Sequence, residues 1–266
     1  MNVTASGGDP FALCANGRRI YFDSSDQRGQ RLAASRGDFN PPARHIWQTL
    51  LAERPWTHVI DVGANYGEML LGVTLPPAAN VIAMEPSPFV LHYLHHSLDE
   101  AGLAVEVIEK AASARSGTAI LSADRDWSGN SSLNGVMAEA AGHTVENVEV
   151  EAITLASLLK DRGMPGSIRL LLKVDVETHE IPVLQGLENT VDRLEEFAAM
   201  IEISHLDMAD LAWLLAHFEI ELFDTRTLRL VSAGTITASG LLDLRDRSDF
   251  YRHDAVLRRR RSGTGA

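Results

Sequence analysis

Val59–Gly67 reads VIDVGANYG, and this stretch indicates the fold of the chain. Its apolar start predicts a buried strand, its two glycines predict a tight turn, and Glu68–Leu71 predicts the start of a helix. Open α/β sheets bind their ligands at such a junction, at the carboxyl end of a strand. The helix start also offers unpaired N–H groups and a positive dipole end. The stretch therefore predicts a ligand site suited to a carboxylate or to ribose hydroxyls.

The composition is that of one large globular domain or of a domain with an extension. The chain has 266 residues and a net charge of −12, which argues against nucleic-acid binding. Its one cysteine, Cys14, excludes an internal disulfide and fits a reducing compartment. No signal peptide is evident, and no apolar run approaches the roughly 18 residues that span a membrane. We expect a cytoplasmic protein that binds neither nucleic acid nor membranes.

Strands and helices alternate along most of the chain. After the opening stretch, buried strands are predicted at 81–84, 105–108, 168–174 and 198–203, and a closing antiparallel hairpin at 219–224 and 228–231. Strand–helix–strand alternation implies right-handed crossovers and a parallel sheet. Ile168–Val174 is the most apolar strand and is expected at its centre. The expected fold class is α/β.

The ends of the chain are less regular. Residues 1–42 are predicted to form an arm or lid, hinged at Gly29 and Gly37. The polar stretch 124–135 is a second candidate lid. Residues 246–266 are weakly patterned, and we interpret them as a solvated, frayed tail that ends in the basic run Arg258–Arg261.

Polar residues follow four strands, at Asp61, Glu85, Asp175 and Glu202. One acid at a strand end is usually a helix cap. Four in succession indicate a site, because the carboxyl ends of parallel strands lie along one edge of the sheet.

The glycine turn discriminates among cofactors. The pattern Gly-x-Gly-x-x-Gly of dinucleotide sites, started at Gly63, fails at Asn65 and Glu68, and the Gly-Lys-Ser/Thr of phosphate loops is absent. Glu85 lies 22 residues after Gly63, where an acid binds ribose hydroxyls. A nucleoside without a pyrophosphate is therefore the expected ligand, and S-adenosylmethionine is one.

Three motifs resemble those of class I S-adenosylmethionine-dependent methyltransferases of the FkbM type. They are Asp61–Gly67 (DVGANYG), Glu85–Pro88 (EPSP) and Leu172–Glu180 (LKVDVETHE). The family usually has glycine where this chain has Thr178, a change that would narrow the pocket or add a hydroxyl. The resemblance implies a Rossmann-like three-layer sandwich with a seven-stranded, mostly parallel sheet and an antiparallel closing strand. The resemblance covers roughly Val59 to Glu202, and we expect the methyltransferase domain to extend over residues 43–245.

The resemblance also implies roles for individual residues. Gly63, Ala64 and Asn65 would line the methionine end of the donor, Glu85 would hold the ribose diol, and Pro86 and Ser87 would flank the adenine. The Ser131–Ser132 loop would approach the donor from above, and Asp175 would lie at the methyl-transfer edge. The remaining residues of the predicted donor site are Asp61, Gly67 and Ala111. Family members mostly methylate hydroxyl groups of sugars, polyketides and other secondary metabolites, so we expect a small-molecule acceptor.

The catalytic base and the acceptor atom stay open at the level of sequence. The candidate bases are Asp175, Glu177, His179 and His205, of which His205 and Asp175 are favoured because each lies at or just past a strand end. O-methylation is the first hypothesis. N-methylation, favoured by the acidic residues, and a non-catalytic binding module are the alternatives. Asp175, Glu177, His179 and Glu202 could ligate a hard divalent cation, but no tight ligand motif supports one, so no metal is predicted. A homodimer is one alternative for the oligomeric state.

Overall fold

The structure, a computed structural model, describes residues 9–162, 165–187 and 190–260. The strands are β1 (Phe11–Leu13), β2 (Arg19–Tyr21), β3 (His58–Val62), β4 (Asn80–Met84), β5 (Val105–Ile108), β6 (Ala111–Ala112), β7 (Gly117–Asp124), β8 (Val145–Ile153), β9 (Arg169–Val174), β10 (Glu196–Glu202), β11 (Phe218–Asp224), β12 (Arg229–Ser232) and β13 (Phe250–Arg259). The helices are α1 (Gln27–Ala34), α2 (Pro41–Glu53), α3 (Glu68–Leu71), α4 (Pro88–Glu100), α5 (Val136–Ala141), α6 (Leu155–Lys160), α7 (Glu180–Gln185), α8 (Thr190–Arg193), α9 (Met208–His217) and α10 (Ala238–Arg245). Within these described ranges, no helix has the length and apolar character that crossing a membrane requires.

The main sheet has eight strands in the order β12-β11-β13-β10-β9-β3-β4-β5. The five strands from β10 to β5 are all parallel to one another. β13 runs antiparallel to β10 and β11, and β12 antiparallel to β11. The α/β class and the mostly parallel sheet are therefore confirmed, while the prediction of seven strands is wrong by one.

The additional strand is β13, which lies in the region predicted to be a frayed tail. That prediction is wrong for Phe250–Arg259, because the strand lies between β10 and β11 inside the sheet. Arg258 pairs with Glu53 at 2.8 Å and Glu221 at 3.0 Å. Arg259 donates to the carbonyl oxygen of Leu194 at 2.6 Å. Arg260 donates to the carbonyl oxygen of Ala216 at 3.0 Å. Three arginines of the basic run thus bind neighbouring elements, while Arg261 lies outside the described residues.

Alternate strand residues face opposite sides of the sheet, and both sides are buried. In β9, Leu170 and Leu172 belong to a core with α6, α7, α9 and α10, whereas Leu171 belongs to a core with α2, α3 and α4. Because both faces of a parallel strand are buried, its sequence is a continuous apolar run. Helices cover both faces, as expected for a three-layer sandwich.

The segment before α2 joins the second of these cores. Ile20, Phe22 and Leu32 are buried among residues of α2 and α4. Gly29 lies within α1, and a Cβ there would be 2.4 Å from the ring of Phe22. The interpretation of Gly29 as a hinge is therefore wrong, since close packing accounts for this glycine. Whether residues 1–42 act as a lid stays a prediction.

A second sheet, β6-β8-β7, extends from the domain next to the carboxyl ends of the main strands. β7 and β8 are antiparallel over their length. The polar stretch that follows β7 forms a short 3₁₀ turn, Ser128–Asn130. Its Ser128 N–H donates to Asp26 at 3.2 Å, which connects this stretch to the segment at the start of α1.

Candidate active site

A cavity of about 470 Å³ opens at the carboxyl ends of β3 and β9. The strand order reverses here. β4 and β5 lie on one side of β3, whereas β9 and β10 lie on its other side. Such a reversal is where open α/β sheets bind ligands. Nine of the predicted site residues line the cavity: Gly63, Asn65, Glu85, Pro86, Ala111, Ser132, Asp175, Glu177 and His179.

Gly63 brings three strands together at the cavity. Its φ of +82° is in the left-handed region, and a Cβ at this position would lie 1.9 Å from the carbonyl oxygen of Asp175. Its N–H donates to the carbonyl oxygen of Met84 at 2.9 Å. Only glycine allows the turn after β3 to lie directly against the end of β9, and the same feature leaves open backbone facing the cavity.

Glu85 fixes the shape of the turn. Its two carboxylate oxygens accept hydrogen bonds from the N–H groups of Asn65 and Ser87, each at 2.8 Å. Burial raises the pKa of Glu85 to about 7, although these two N–H groups and Arg28 favour the charged form. Each carboxylate oxygen keeps a second lone pair, so Glu85 can still accept from two hydroxyl groups in the cavity.

Four residues of the predicted donor site lie behind the cavity wall: Asp61, Ala64, Gly67 and Ser87. Gly67 (φ +84°) packs against Leu94, which a Cβ would approach to 2.8 Å. The helix after the turn, α3, has only four residues. Its dipole is therefore weaker than the sequence led us to expect, because the dipole grows by alignment of successive peptide units.

Lys173 lies between two acids of neighbouring strands. Its Nζ is 3.3 Å from Asp61 Oδ1 and 3.3 Å from Asp175 Oδ2. Burial lowers the pKa of Lys173, but the neighbouring acids outweigh it and raise the pKa above its ordinary value. Burial likewise raises the pKa of Asp61 despite Lys173. The side chain of Lys173 thus stays charged and ties the ends of β3 and β9 together.

Asp175 and Glu177 are two residues apart and differ in charge state. Burial would raise the pKa of Asp175, but Lys173 and Arg28 outweigh it and hold the pKa below its ordinary value. Burial raises the pKa of Glu177 to about 9, and the charges of Glu202 and Asp175 add to this effect. At neutral pH the cavity therefore presents an ionised Asp175 beside a protonated Glu177.

The two histidines that the sequence singled out occupy different positions. His179 lines the cavity, and its Nε2 lies 3.0 Å from Ser113 Oγ. Burial lowers the pKa of His179, so its ring is neutral at pH 7. His205 is absent from the wall of the cavity and lies 3.7 Å from Glu177 and 3.6 Å from Glu202. His205 could act on bound substrate only through these acids.

Thr178 takes a backbone conformation that suits glycine. Glu177 and Thr178 have φ of +51° and +72°. Thr178 accepts hydrogen bonds from Asn134 Nδ2 at its carbonyl oxygen (2.7 Å) and at its hydroxyl (3.2 Å). Ser132 donates its hydroxyl to the carbonyl oxygen of Glu177. Thr178 is not among the residues that line the cavity, so of the two predicted effects the structure shows the added hydroxyl and not a narrower pocket.

Potential metal ligands meet at the acidic end of the cavity. Single ligand atoms of Glu177, Glu202 and His205 lie within 4.8 Å of one another. Glu177 Oε2 and Glu202 Oε2 are buried and accept no hydrogen bond from the described residues. The prediction that the site works without a metal stays a prediction.

Several cavity residues were not predicted from the sequence. They are contributed by the segment before α2, by α2 itself, by the turn after β7 and by β13: Arg28, Arg31, Phe39, Arg44, Trp127, Tyr251, His253 and Asp254. One local signal was available for the first group. Asp26 caps α1 by accepting from the N–H of Arg28 at 2.8 Å, and an aspartate before a helical stretch is a typical start signal.

The fold is a Rossmann-like α/β sandwich with a cavity at the carboxyl ends of its parallel strands. The methyltransferase FkbM domain model matches residues 61–226, and the chain belongs to this family. No curated protein sequence matches the chain.

Solved structures with a similar fold have low sequence identity. The plantazolicin methyltransferase BpumL in complex with SAH is 11% identical, with a TM-score of 0.43, over 89% of this chain and 92% of that one. The O-methyltransferase TomG from Streptomyces achromogenes, in complex with SAM, is 12% identical, with a TM-score of 0.43, over 83% and 80%. Precorrin-6y C5,15-methyltransferase from Geobacter metallireducens is 11% identical, with a TM-score of 0.42, over 81% and 88%.

Proposed function

We propose that this chain uses S-adenosylmethionine to methylate a hydroxyl group of a small metabolite, with Asp175 as the general base. The observation that carries the proposal is the position of Asp175 on the cavity wall, 3.3 Å from Lys173 Nζ. This carboxylate lies on the cavity wall, remains ionised, and belongs to the residue whose backbone touches the turn at Gly63.

The residues at the turn fit the proposed donor. Glu85 has two lone pairs left for the ribose hydroxyls, and Gly63, which lines the cavity, presents backbone without a side chain to the methionine portion. Pro86 and Ala111 supply an apolar surface on the side where the adenine would lie. Bound there, the donor supplies an electrophilic methyl group on a sulfonium.

Asp175 is suited to receive the proton that the acceptor loses. As an alcohol oxygen attacks, positive charge develops on it, and its proton becomes strongly acidic. An ionised carboxylate can take that proton in the transition state even though its own pKa is low. Lys173 keeps Asp175 ionised and limits its movement. Alignment of the acceptor against the donor would contribute about 7–11 kcal/mol to the reduction of the barrier.

The test is the variant Asp175→Asn, assayed with a panel of sugars, polyketide alcohols and amines. We expect kcat to fall by about 10²–10⁴-fold, because asparagine cannot accept the proton. The affinity for S-adenosylhomocysteine, measured by calorimetry, should change little. The wild-type kcat should stay constant as pH falls from 8 to 5.5, since the pKa of Asp175 lies below this range.

The matched comparison is His205→Asn, which removes the other favoured candidate. We expect a smaller loss of kcat, because His205 does not line the cavity. If His205→Asn costs as much as Asp175→Asn, then His205 is the base.

A second candidate function is N-methylation of a cationic acceptor. The observation in its favour is the pair of buried oxygens, on Glu177 and Glu202, that lack hydrogen-bond donors within the described part of the chain. An ammonium or guanidinium group would supply donors there. Mass spectra of the product distinguish the two, since a methyl on nitrogen refutes the O-methylation proposal.

The same assays test whether turnover requires a metal ion and whether the protein is catalytic at all. We expect turnover to be unchanged after treatment with a chelator, and a loss that Mg²⁺ restores would assign an ion to Glu177, Glu202 and His205. A protein that binds S-adenosylhomocysteine but methylates no member of the panel would support a binding module.

A further inference from the structure

Arg28 reaches from α1 to the turn after β3. Its Nη1 donates to Asn65 Oδ1 at 3.3 Å, and its Nη2 forms an ion pair with Glu68. The side chain is 11% exposed and lines the cavity. These hydrogen bonds engage two of the five N–H donors of the guanidinium, so donors remain for a ligand.

The turn after β7 holds this guanidinium against the glycine turn. A Cβ on Gly129 would lie 2.8 Å from Arg28 Nε, so the backbone of this turn packs directly on the arginine. Ser128 donates its hydroxyl to Asn65 Oδ1 at 3.2 Å, the same oxygen that Arg28 contacts. Arg28 is therefore fixed in place beside Asn65 before any ligand binds.

The other cations of the cavity are paired or distant from this turn. Lys173 lies between two carboxylates, and Arg44 forms a bidentate pair with Asp38 at 2.9 and 2.8 Å. Lys110 pairs with Glu151. Arg31 is exposed, and its guanidinium lies 5.3 Å from the ring centre of Phe39. Arg28 is the cavity cation that contacts the turn itself.

We propose that Arg28 binds the α-carboxylate of the donor's methionine portion, an inference that rests on the proposed donor. The planar fork of a guanidinium matches a carboxylate, and the remaining N–H donors can bind it in bidentate fashion. Acidic groups surround Arg28 at Glu68, Asp26 and Asp175, and they keep it charged despite burial. The donor would then contact α1 as well as the Rossmann-like domain.

The test compares two ligands by calorimetry. S-adenosylhomocysteine carries the amino-acid tail, whereas 5′-deoxy-5′-methylthioadenosine keeps the adenosine and the sulfur but lacks the tail. We expect Arg28→Ala to weaken binding of S-adenosylhomocysteine by about 10–100-fold, because a charge-assisted hydrogen-bonded pair is lost. The affinity of the same variant for methylthioadenosine should stay within about 3-fold of the wild-type value. Arg28→Lys should be intermediate for the first ligand.

Arg31→Ala is the matched control, because Arg31 lies on the same helix and also lines the cavity. It should leave the ratio of the two affinities unchanged. If Arg28→Ala and Arg28→Lys weaken both ligands equally, Arg28 shapes the turn without binding the carboxylate, and the proposal fails. A wild-type protein that binds neither ligand refutes the donor assignment itself, and with it this proposal.

Discussion

Thr178 is a residue in a conformation that its side chain disfavours. A β-branched residue with φ of +72° is a genuine outlier, whereas glycine adopts this conformation freely. The backbone is held there by neighbours, since Asn134 donates to the carbonyl oxygen of Thr178 and Ser132 to that of Glu177. The FkbM-type motif usually has glycine at this position, which is what the backbone requires. Thr178 therefore stores strain beside the cavity.

Replacement of Thr178 by glycine should stabilise the protein. The left-handed conformation costs an ordinary residue about 1–2 kcal/mol. Removal of this cost raises stability, but part of the increase is offset because glycine has more conformational entropy in the unfolded chain. We expect Thr178→Gly to raise the free energy of unfolding by about 1 kcal/mol in urea denaturation. Thr178→Ala is the control and should gain less, since alanine keeps the Cβ. Equal stability of the two variants would show that the backbone at 178 is not strained.

At the scale of the element, β13 is the main correction to the sequence prediction. Only Ala255, Val256 and Leu257 form an uninterrupted apolar core within it, and charged residues flank them. A strand with so short an apolar run is difficult to distinguish from a tail. A charged residue of the strand nonetheless has ionic partners, since Arg258 forms ion pairs with Glu53 and Glu221. The strand also supplies Tyr251 and Asp254 to the cavity, so stability and site both depend on it.

Truncation of a side chain in β13 tests its place in the sheet. Leu257 is 0% exposed, and we expect Leu257→Ala to lower the free energy of unfolding by about 2–5 kcal/mol. Leu228→Ala is the control, because Leu228 is 59% exposed, and it should change stability by less than about 0.5 kcal/mol. Similar effects of the two substitutions would contradict the position of β13 within the sheet.

At the scale of the whole molecule, the arrangement of acids couples stability to pH. The ends of β4, β9 and β10 bring buried carboxyl groups together in a chain with a net charge of −12. Burial raises the pKa to about 7 for Glu85 and to about 8 for Glu180, and burial together with neighbouring acids raises it to about 9 for Glu177. Folding therefore favours the protonated forms of these groups.

The sign of the pH dependence follows from these shifts. A carboxyl whose pKa is raised on folding stabilises the protein at low pH, and this contribution is lost as pH rises from about 4.5 through the folded pKa. For Glu177, we expect the loss to extend to about pH 9. Glu177→Gln cannot titrate, so its urea midpoint should fall less than that of the wild type between pH 6 and pH 9. Glu149→Gln, at an exposed position of β8, should follow the wild type. If both variants follow it, Glu177 does not titrate in this range.

The parallel part of the sheet and the glycine turn were predictable from the sequence. Apolar runs, turn glycines and helix caps depend on a few neighbouring residues, and these features identified β3, β4, β5, β9 and β10 and the acids after them. Nine predicted residues line one cavity because parallel strands end at the same edge. The failed predictions, at Gly29 and β13, concern residues whose environment comes from distant parts of the chain.

The sequence by itself determined the class of sheet, the turn that a ligand can approach and the family. Only the tertiary structure decided which acids carry charge, and it did so through burial and neighbours. Asp175 is ionised because Lys173 and Arg28 lie close to it, while Glu177, two residues on, is protonated because it is buried and other acids surround it. Arg28 reaches Asn65 across 37 residues, and Arg258 reaches Glu53 across 205. The stretch VIDVGANYG thus specifies a turn, and side chains from the rest of the chain determine the chemistry beside it.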